Sequence, residues 1–257
     1  MELIIKKDRF AVYENKKNKI FKIIFKNQSY SLINSLMKTH LIPNSYTDED
    51  YTTLTFKAHS VKMLKKYQDE YVEKHGKKNM LVSDVAKVIR SLTKQLKYII
   101  EKEYCTIIGY TEDEIIVIND EKFAFLGSEL IANLDSNSYE DQHEDLEDLD
   151  SDLNLNPIFA TINCPFNSND FFFSPEIVRL KEIPARVHYK IAYFSLACLL
   201  ISLLLGTHEF YNEYLIHKQS TYILNQLDRH PVKDTKIYWL LSRCLVEEPY
   251  NRSIILI

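Results

Sequence analysis

Apolar residues recur with two different periods along this chain. Over residues 9–14, 19–25 and 51–56 (RFAVYE, KIFKIIF, YTTLTF), β-branched and aromatic residues alternate with polar ones. Polar clusters separate these runs, which predicts short strands in the first 58 residues. Residues 28–39, around SLINSLMK, predict one short helix between them. From residue 61 the period changes. Val61, Leu64, Tyr67 and Tyr71 predict a helix over 61–76 with Gly76 as its stop. Val85, Val88, Leu92, Leu96, Ile99 and Ile100 predict a second over 83–102, with Ser83 as N-cap. Residues 114–118 and 123–127 (EIIVI, FAFLG) flank Asn119-Asp120-Glu121-Lys122 and predict a tight hairpin. Helical patterning returns beyond Phe171, with an uncharged run at 191–206 and further helices over 209–227 and 234–246.

Composition narrows the field. The chain of 257 residues has 46% apolar residues and a net charge of −4, as expected of a globular soluble protein. Its four glycines, Gly76, Gly109, Gly127 and Gly206, are too scattered for a dinucleotide-binding or P-loop motif. Cys105, Cys164, Cys198 and Cys244 form no CxxC. With a charged N-terminus in place of a secretory signal, they point to a cytoplasmic or otherwise intracellular setting. Abundant Lys, Ile, Asn and Tyr suggest AT-rich coding, as in some protists and large DNA viruses. The uncharged run at 191–206 is shorter than the ~20 residues of a membrane span and reads as a buried helix. A membrane-associated helical protein centred on it is the remote alternative.

Several short motifs of the second half resemble the eukaryotic protein-kinase superfamily. Phe173-Ser174-Pro175-Glu176 is similar to the Ala-Pro-Glu element that closes the activation segment. Ala192-Tyr193-Phe194-Ser195-Leu196-Ala197 stands where the family opens its buried helix with Asp-x-Trp-Ser-x-Gly. Gly206-Thr207-His208-Glu209-Phe210 resembles Gly-x-x-Pro-Phe, with Glu in place of Pro. Leu241 to Leu245 and Glu248-Pro249-Tyr250-Asn251-Arg252-Ser253 are similar to the family's Cys-Leu…Asp-Pro-x-x-Arg-x-Ser ending. The resemblance implies an α+β, two-lobed protein-kinase-like fold over residues 1–257. It implies a β-rich N-lobe at 1–58, a mainly helical C-lobe at 59–257 and a flexible acidic insert at about 128–170. It also implies a structural ion pair between Glu176 and Arg252.

The same resemblance locates the chemistry, and most of it is missing. No glycine occurs in residues 1–20, where the phosphate-covering loop belongs. Lys22 is the nucleotide-binding candidate for the family's strand lysine, with Lys19 and Lys26 as rivals. The helix after it holds no acid to pair with that lysine. The catalytic-base position falls on Ile108 or Gly109, depending on register, and neither is a proton acceptor. Asp113 and Glu114 are weak metal candidates, because carboxylate oxygens suit magnesium. The Asp-Phe-Gly position reads Phe125-Leu126-Gly127, and a phenyl ring binds no metal.

The expectation is a degenerate member, a pseudokinase acting as a binding or regulatory module for a protein partner, with an active kinase among the candidate partners. Neither nucleic acid nor membrane is expected as a partner. ATP and magnesium enter only if nucleotide binding survives. An atypical active Ser/Thr protein kinase is the alternative; it needs Lys22 for nucleotide and Asp113, Glu114 or Glu129 for the missing acids. Residues 135–152 hold nine Asp/Glu and no Lys or Arg, which predicts a solvated loop. Asp148, Asp150 and Asp152 have the spacing that opens a calcium loop. Leu153 and Phe159 break that motif where Gly and Glu are required. The loop could instead dock on residues 57–98, which carry eleven Lys/Arg against four acids.

Overall fold

A computed structural model describes residues 1–135, 158–163 and 171–254. The fold is α+β: an N-terminal five-stranded antiparallel sheet is followed by helices and small sheets. In chain order come β1 (Glu2–Lys6), β2 (Phe10–Asn15), β3 (Ile20–Phe25), α1 (Tyr30–Lys38), β4 (Tyr46–Thr47), β5 (Thr53–Lys57) and β6 (Val61–Met63). Then follow α2 (Leu64–His75), α3 (Val82–Glu103), β7 (Cys105–Ile107), β8 (Gly109–Tyr110), β9 (Ile115–Ile118), β10 (Lys122–Phe125) and β11 (Ile131–Asn133). The last described elements are β12 (Phe159–Ile162), β13 (Phe172–Phe173), α4 (Pro175–Val178), β14 (Ala185–His188), α5 (Ile191–Leu205), α6 (Glu209–His217), α7 (Thr221–Asp228) and α8 (Lys236–Cys244).

The first sheet has the order β1-β2-β3-β5-β4. Its inner face is formed by Phe10, Val12, Phe21, Ile23, Phe25, Leu54 and Phe56. These pack with Leu32, Ile33 and Leu36 of α1 in one hydrophobic cluster. A larger cluster surrounds α5, whose 15 residues are apolar on every side and almost wholly buried. Gly206 ends this helix at φ +67°, and a Cβ there would strike the backbone at Lys78 and Asn79. The helix is therefore a core element, and among the described residues no helix is long and apolar enough to cross a membrane.

The β9–β10 hairpin lies between the two clusters. Its turn places Asn119 and Asp120 at φ +55° and +58°, as a two-residue mirror-image turn requires. Ile116, Ile118, Ala124 and Leu126 join the sheet's cluster, while Ile115, Val117, Phe123 and Phe125 join the other. Period-two alternation thus sends each strand's side chains into both cores.

Three predicted boundaries shift. Residues 61–63 are strand, pairing with β9, and the helix starts at Leu64. The second helix begins at Val82 with Leu81 as its cap, so Ser83 lies inside the first turn. The helix predicted over 209–227 is two helices, because Lys218 turns to φ +55°. Asp148, Asp150 and Asp152, which have the calcium-loop spacing, and Leu153, which breaks it, lie outside the described residues, as do most of the acidic block and Cys164.

Candidate functional site

The chemistry that the kinase resemblance assigns to this chain falls where the hairpin, the turn before it and the β1–β2 turn meet. β8 holds Gly109, and residues 112–114 form a short helical turn capped by Thr111, whose Oγ1 accepts from the Asp113 amide. That turn presents Glu112, Asp113 and Glu114 in succession. Glu114 is buried, and its backbone carbonyl accepts from the Leu126 amide at 2.7 Å, tying the turn to the end of β10.

Each metal candidate has a cation of this chain beside it. The turn between β1 and β2, residues 7–9, reaches across to them. Lys7 Nζ lies 2.6 Å from Asp113 Oδ1. Arg9 Nη1 donates to Glu114 Oε1 at 2.9 Å, and its Nε donates to Glu129 Oε2 at 2.8 Å. The Arg9 guanidinium also lies over the Phe171 ring, 5.4 Å from its centre. Burial pushes the Glu114 carboxyl above its ordinary range, and the adjacent Arg9 pulls it part of the way back. Among the described residues no group of three or more His, Cys, Asp or Glu is placed to hold a metal ion.

The position that the resemblance assigns to the catalytic base is physically filled. β13 pairs with β8, setting Phe173 opposite Gly109 and Phe172 opposite Tyr110. A Cβ at Gly109 would fall 2.5 Å from Phe173 Cε1. The ring therefore occupies the space that a side chain at residue 109 needs. Tyr211 of α6 fixes β13 there: its hydroxyl accepts from the Phe173 amide at 2.5 Å and donates to the Phe173 carbonyl at 3.0 Å. Ile108, the alternative position, is buried in the larger cluster.

Phe125, Leu126 and Gly127 face the interior. Phe125 packs on Tyr110 with ring centres 5.0 Å apart, and its ring also covers Gly127. Gln95 of α3 grips the Phe125 backbone from both sides, accepting from its amide at 3.0 Å and donating to its carbonyl at 2.9 Å. The same amide group reaches Ser35 Oγ of α1 at 3.2 Å. The stretch that the resemblance sets at Asp-Phe-Gly is thus a hydrophobic, hydrogen-bonded plug.

Lys22 does not join this group. The inward positions of β3 are Phe21, Ile23 and Phe25. Lys22 has the opposite parity and stands in one rung with Tyr13, Thr55 and exposed Tyr46 on the outer face. Lys19 sits in a turn at φ +53°, 3.7 Å from Glu14, and Lys26 is exposed. Lys22 thus stands on the face of the sheet turned away from α1 and the hairpin.

Glu176 and Arg252 are brought together. Arg252 is fully buried and makes a two-pronged ion pair with Glu176, at 2.6 and 3.1 Å. It also donates to the carbonyls of Val246 and Glu247 at 2.7 and 2.8 Å and stands over the Phe194 ring.

Sequence reasoning missed Lys7, Arg9 and Gln95. Each is an ordinary polar residue in its own stretch, and its partner lies 30 to 120 positions away. Comparison with known proteins finds no matching family model and no matching curated protein.

Proposed function

We propose that this chain is a two-lobed, protein-kinase-like pseudokinase, a scaffold that binds a protein partner without transferring phosphate. The observation that carries the reading is the Phe173 ring packed over Gly109. Phosphoryl transfer needs a carboxylate at that point to receive the substrate's hydroxyl proton. Here a backbone pairing and a phenyl ring fill it.

The order of elements supports the kinase-like part of the reading: a five-stranded sheet with one helix, then a hairpin, then a buried helix and an ion pair joining residues 176 and 252. The nucleotide and its metal do not fit the residues present. Lys7 and Arg9 neutralise the acids a magnesium ion would need, and apolar side chains fill the inward face of β3. Val12, Ile23, Ile116 and Leu126, between sheet and hairpin, are all fully buried. This closure needs no ligand, since the chain's own ion pairs hold it.

The test is a melting curve with and without ATP and magnesium, run beside a phosphotransfer assay on a generic protein substrate. A ligand that binds only the folded state stabilises it by RT ln(1+[L]/Kd). No shift at millimolar ATP and no transfer are expected. A magnesium-dependent rise in melting temperature together with transfer would overturn the reading.

A further inference from the structure

The outer face of the first sheet is neither polar nor covered. The register sets Leu3, Tyr13, Lys22, Thr55 and Tyr46 in one rung there. Lys6, Ala11, Ile24 and Thr53 form the rung on one side of it, and Asn15, Ile20 and Lys57 the rung on the other. Leu3 is 44% exposed and Tyr46 64%, while Tyr13, Ile20 and Ile24 are half-buried. A sheet with one solvated face alternates apolar and polar residues, whereas β3 carries isoleucine at both parities. No Asp or Glu stands at these outward positions. Glu2 and Glu14 have the inward parity and pair with Lys16 and Lys19. Among the described residues none of Lys6, Lys22 and Lys57 forms an ion pair.

The three lysines run along one diagonal of the face, from the end of β1 through β3 to the end of β5. Leu3, Tyr13 and Ile20 flank that diagonal on one side, and Ile24 and Tyr46 on the other. An uncovered apolar surface crossed by free cations fits an occupant with apolar flanks and carboxylates. A second copy of this chain would set lysine against lysine, since a two-fold contact meets itself. Single-stranded nucleic acid stacks its bases on aromatic rings, and Leu3, Ile20 and Ile24 offer none. The face measures about 19 Å across five strands and about 20 Å along β3. A helix of about 13 residues covers that length. The area is about half of what each side of a stable complex buries, so the contact is transient. We propose that the outer face of the first sheet docks a single amphipathic, acidic helix of a partner protein, its carboxylates on Lys6, Lys22 and Lys57. The face points away from α1 and the hairpin, so the inference goes beyond the question of phosphotransfer.

The test is fluorescence anisotropy with a labelled helical peptide of about 18 residues, three glutamates in line on one face and leucines beside them. A second peptide carries glutamine in place of the glutamates. The glutamate peptide is expected to bind the wild-type chain about tenfold more tightly, as three surface ion pairs together give. Lys22→Glu is expected to abolish that preference without lowering the melting temperature. Lys57→Glu, at an exposed site, should weaken it in the same direction. Ile24→Ser is expected to weaken the binding of both peptides alike. Lys94→Glu, at an exposed lysine of α3, keeps the preference. Equal affinity for the two peptides, no binding of either, an unaltered preference in both Lys22→Glu and Lys57→Glu, or an equal loss in Lys94→Glu would each overturn the proposal. So would tighter binding of a thymidine oligonucleotide, or a wild-type dimer that Ile24→Ser dissolves, each naming a different occupant. Transfer of phosphate by the chain would sink the pseudokinase reading and leave this surface as it is.

Discussion

At residue 109 the missing side chain is a packing requirement. Gly109→Ala forces a methyl group into the Phe173 ring, which Tyr211 holds by two hydrogen bonds. Overpacking of this kind costs about 1–3 kcal/mol. Chemical denaturation of Gly109→Ala is expected to show that loss, and Gly109→Asp should destabilise further without creating phosphotransfer. Arg252 answers to a different rule. Its removal leaves Glu176 and two half-buried carbonyls without their donor, for an expected loss of about 3–5 kcal/mol measured the same way. His188 sets a pH dependence. Burial, with Lys190 and Arg252 nearby, lowers its pKa from 6.5 to about 4. Between those values the unfolded chain binds more protons than the folded one, so stability falls as pH drops from about 6.5 to about 4. The full effect is up to about 3 kcal/mol. Replacement by glutamine should flatten stability over that window, and an unchanged slope would refute the assignment. The Glu176–Arg252 pairing was legible because each residue sits in its own short motif. The ring over Gly109 was not, because nothing in residues 171–173 announces that they pair with β8.

At the scale of elements, the β1–β2 turn acts as a strap. Lys7 and Arg9 join it to the 112–114 turn and to Glu129. Arg9 and Glu114 are mostly buried, so this pair survives salt screening better than the more exposed Lys7–Asp113 pair. Arg9→Ala is expected to cost about 2 kcal/mol, since it leaves Glu114 buried without its cation. Lys7→Ala should cost under about 1 kcal/mol. Hydrogen exchange in β1 and β2 should quicken in the first variant and hardly change in the second; equal effects would show that the strap is mere surface charge. The strands themselves were legible from alternation, but their facing was not. Residues 20–25 read Ile-Phe-Lys-Ile-Ile-Phe, apolar at both parities, so pattern alone leaves open whether Lys22 points in or out. Contact with α1 and the hairpin decides it, turning Phe21, Ile23 and Phe25 inward. The strap was hidden for a related reason: its partners are more than 100 residues apart.

Across the whole molecule, the β9–β10 hairpin ties the first sheet to the helices around α5. Ile116 belongs to the sheet's cluster and Phe123, on the partner strand, to the larger one. A strand buried on both faces cannot lose one core while keeping its place in the other. Gln95 adds a polar tie, because one side chain bonds both α1 and β10. Ile116→Ala should therefore cost about 2–5 kcal/mol and Phe123→Ala about 3–5 kcal/mol, with each felt on both sides of the hairpin. Trp239, the one tryptophan, lies in α8 and reports the helical part, while far-UV circular dichroism reports the sheet and helices together. In urea the two signals should change at one midpoint in the wild-type chain and in both variants. If Ile116→Ala instead lost its sheet signal first, with Trp239 unchanged until higher urea, the hairpin would be a lid on the first sheet and not the joint between two cores.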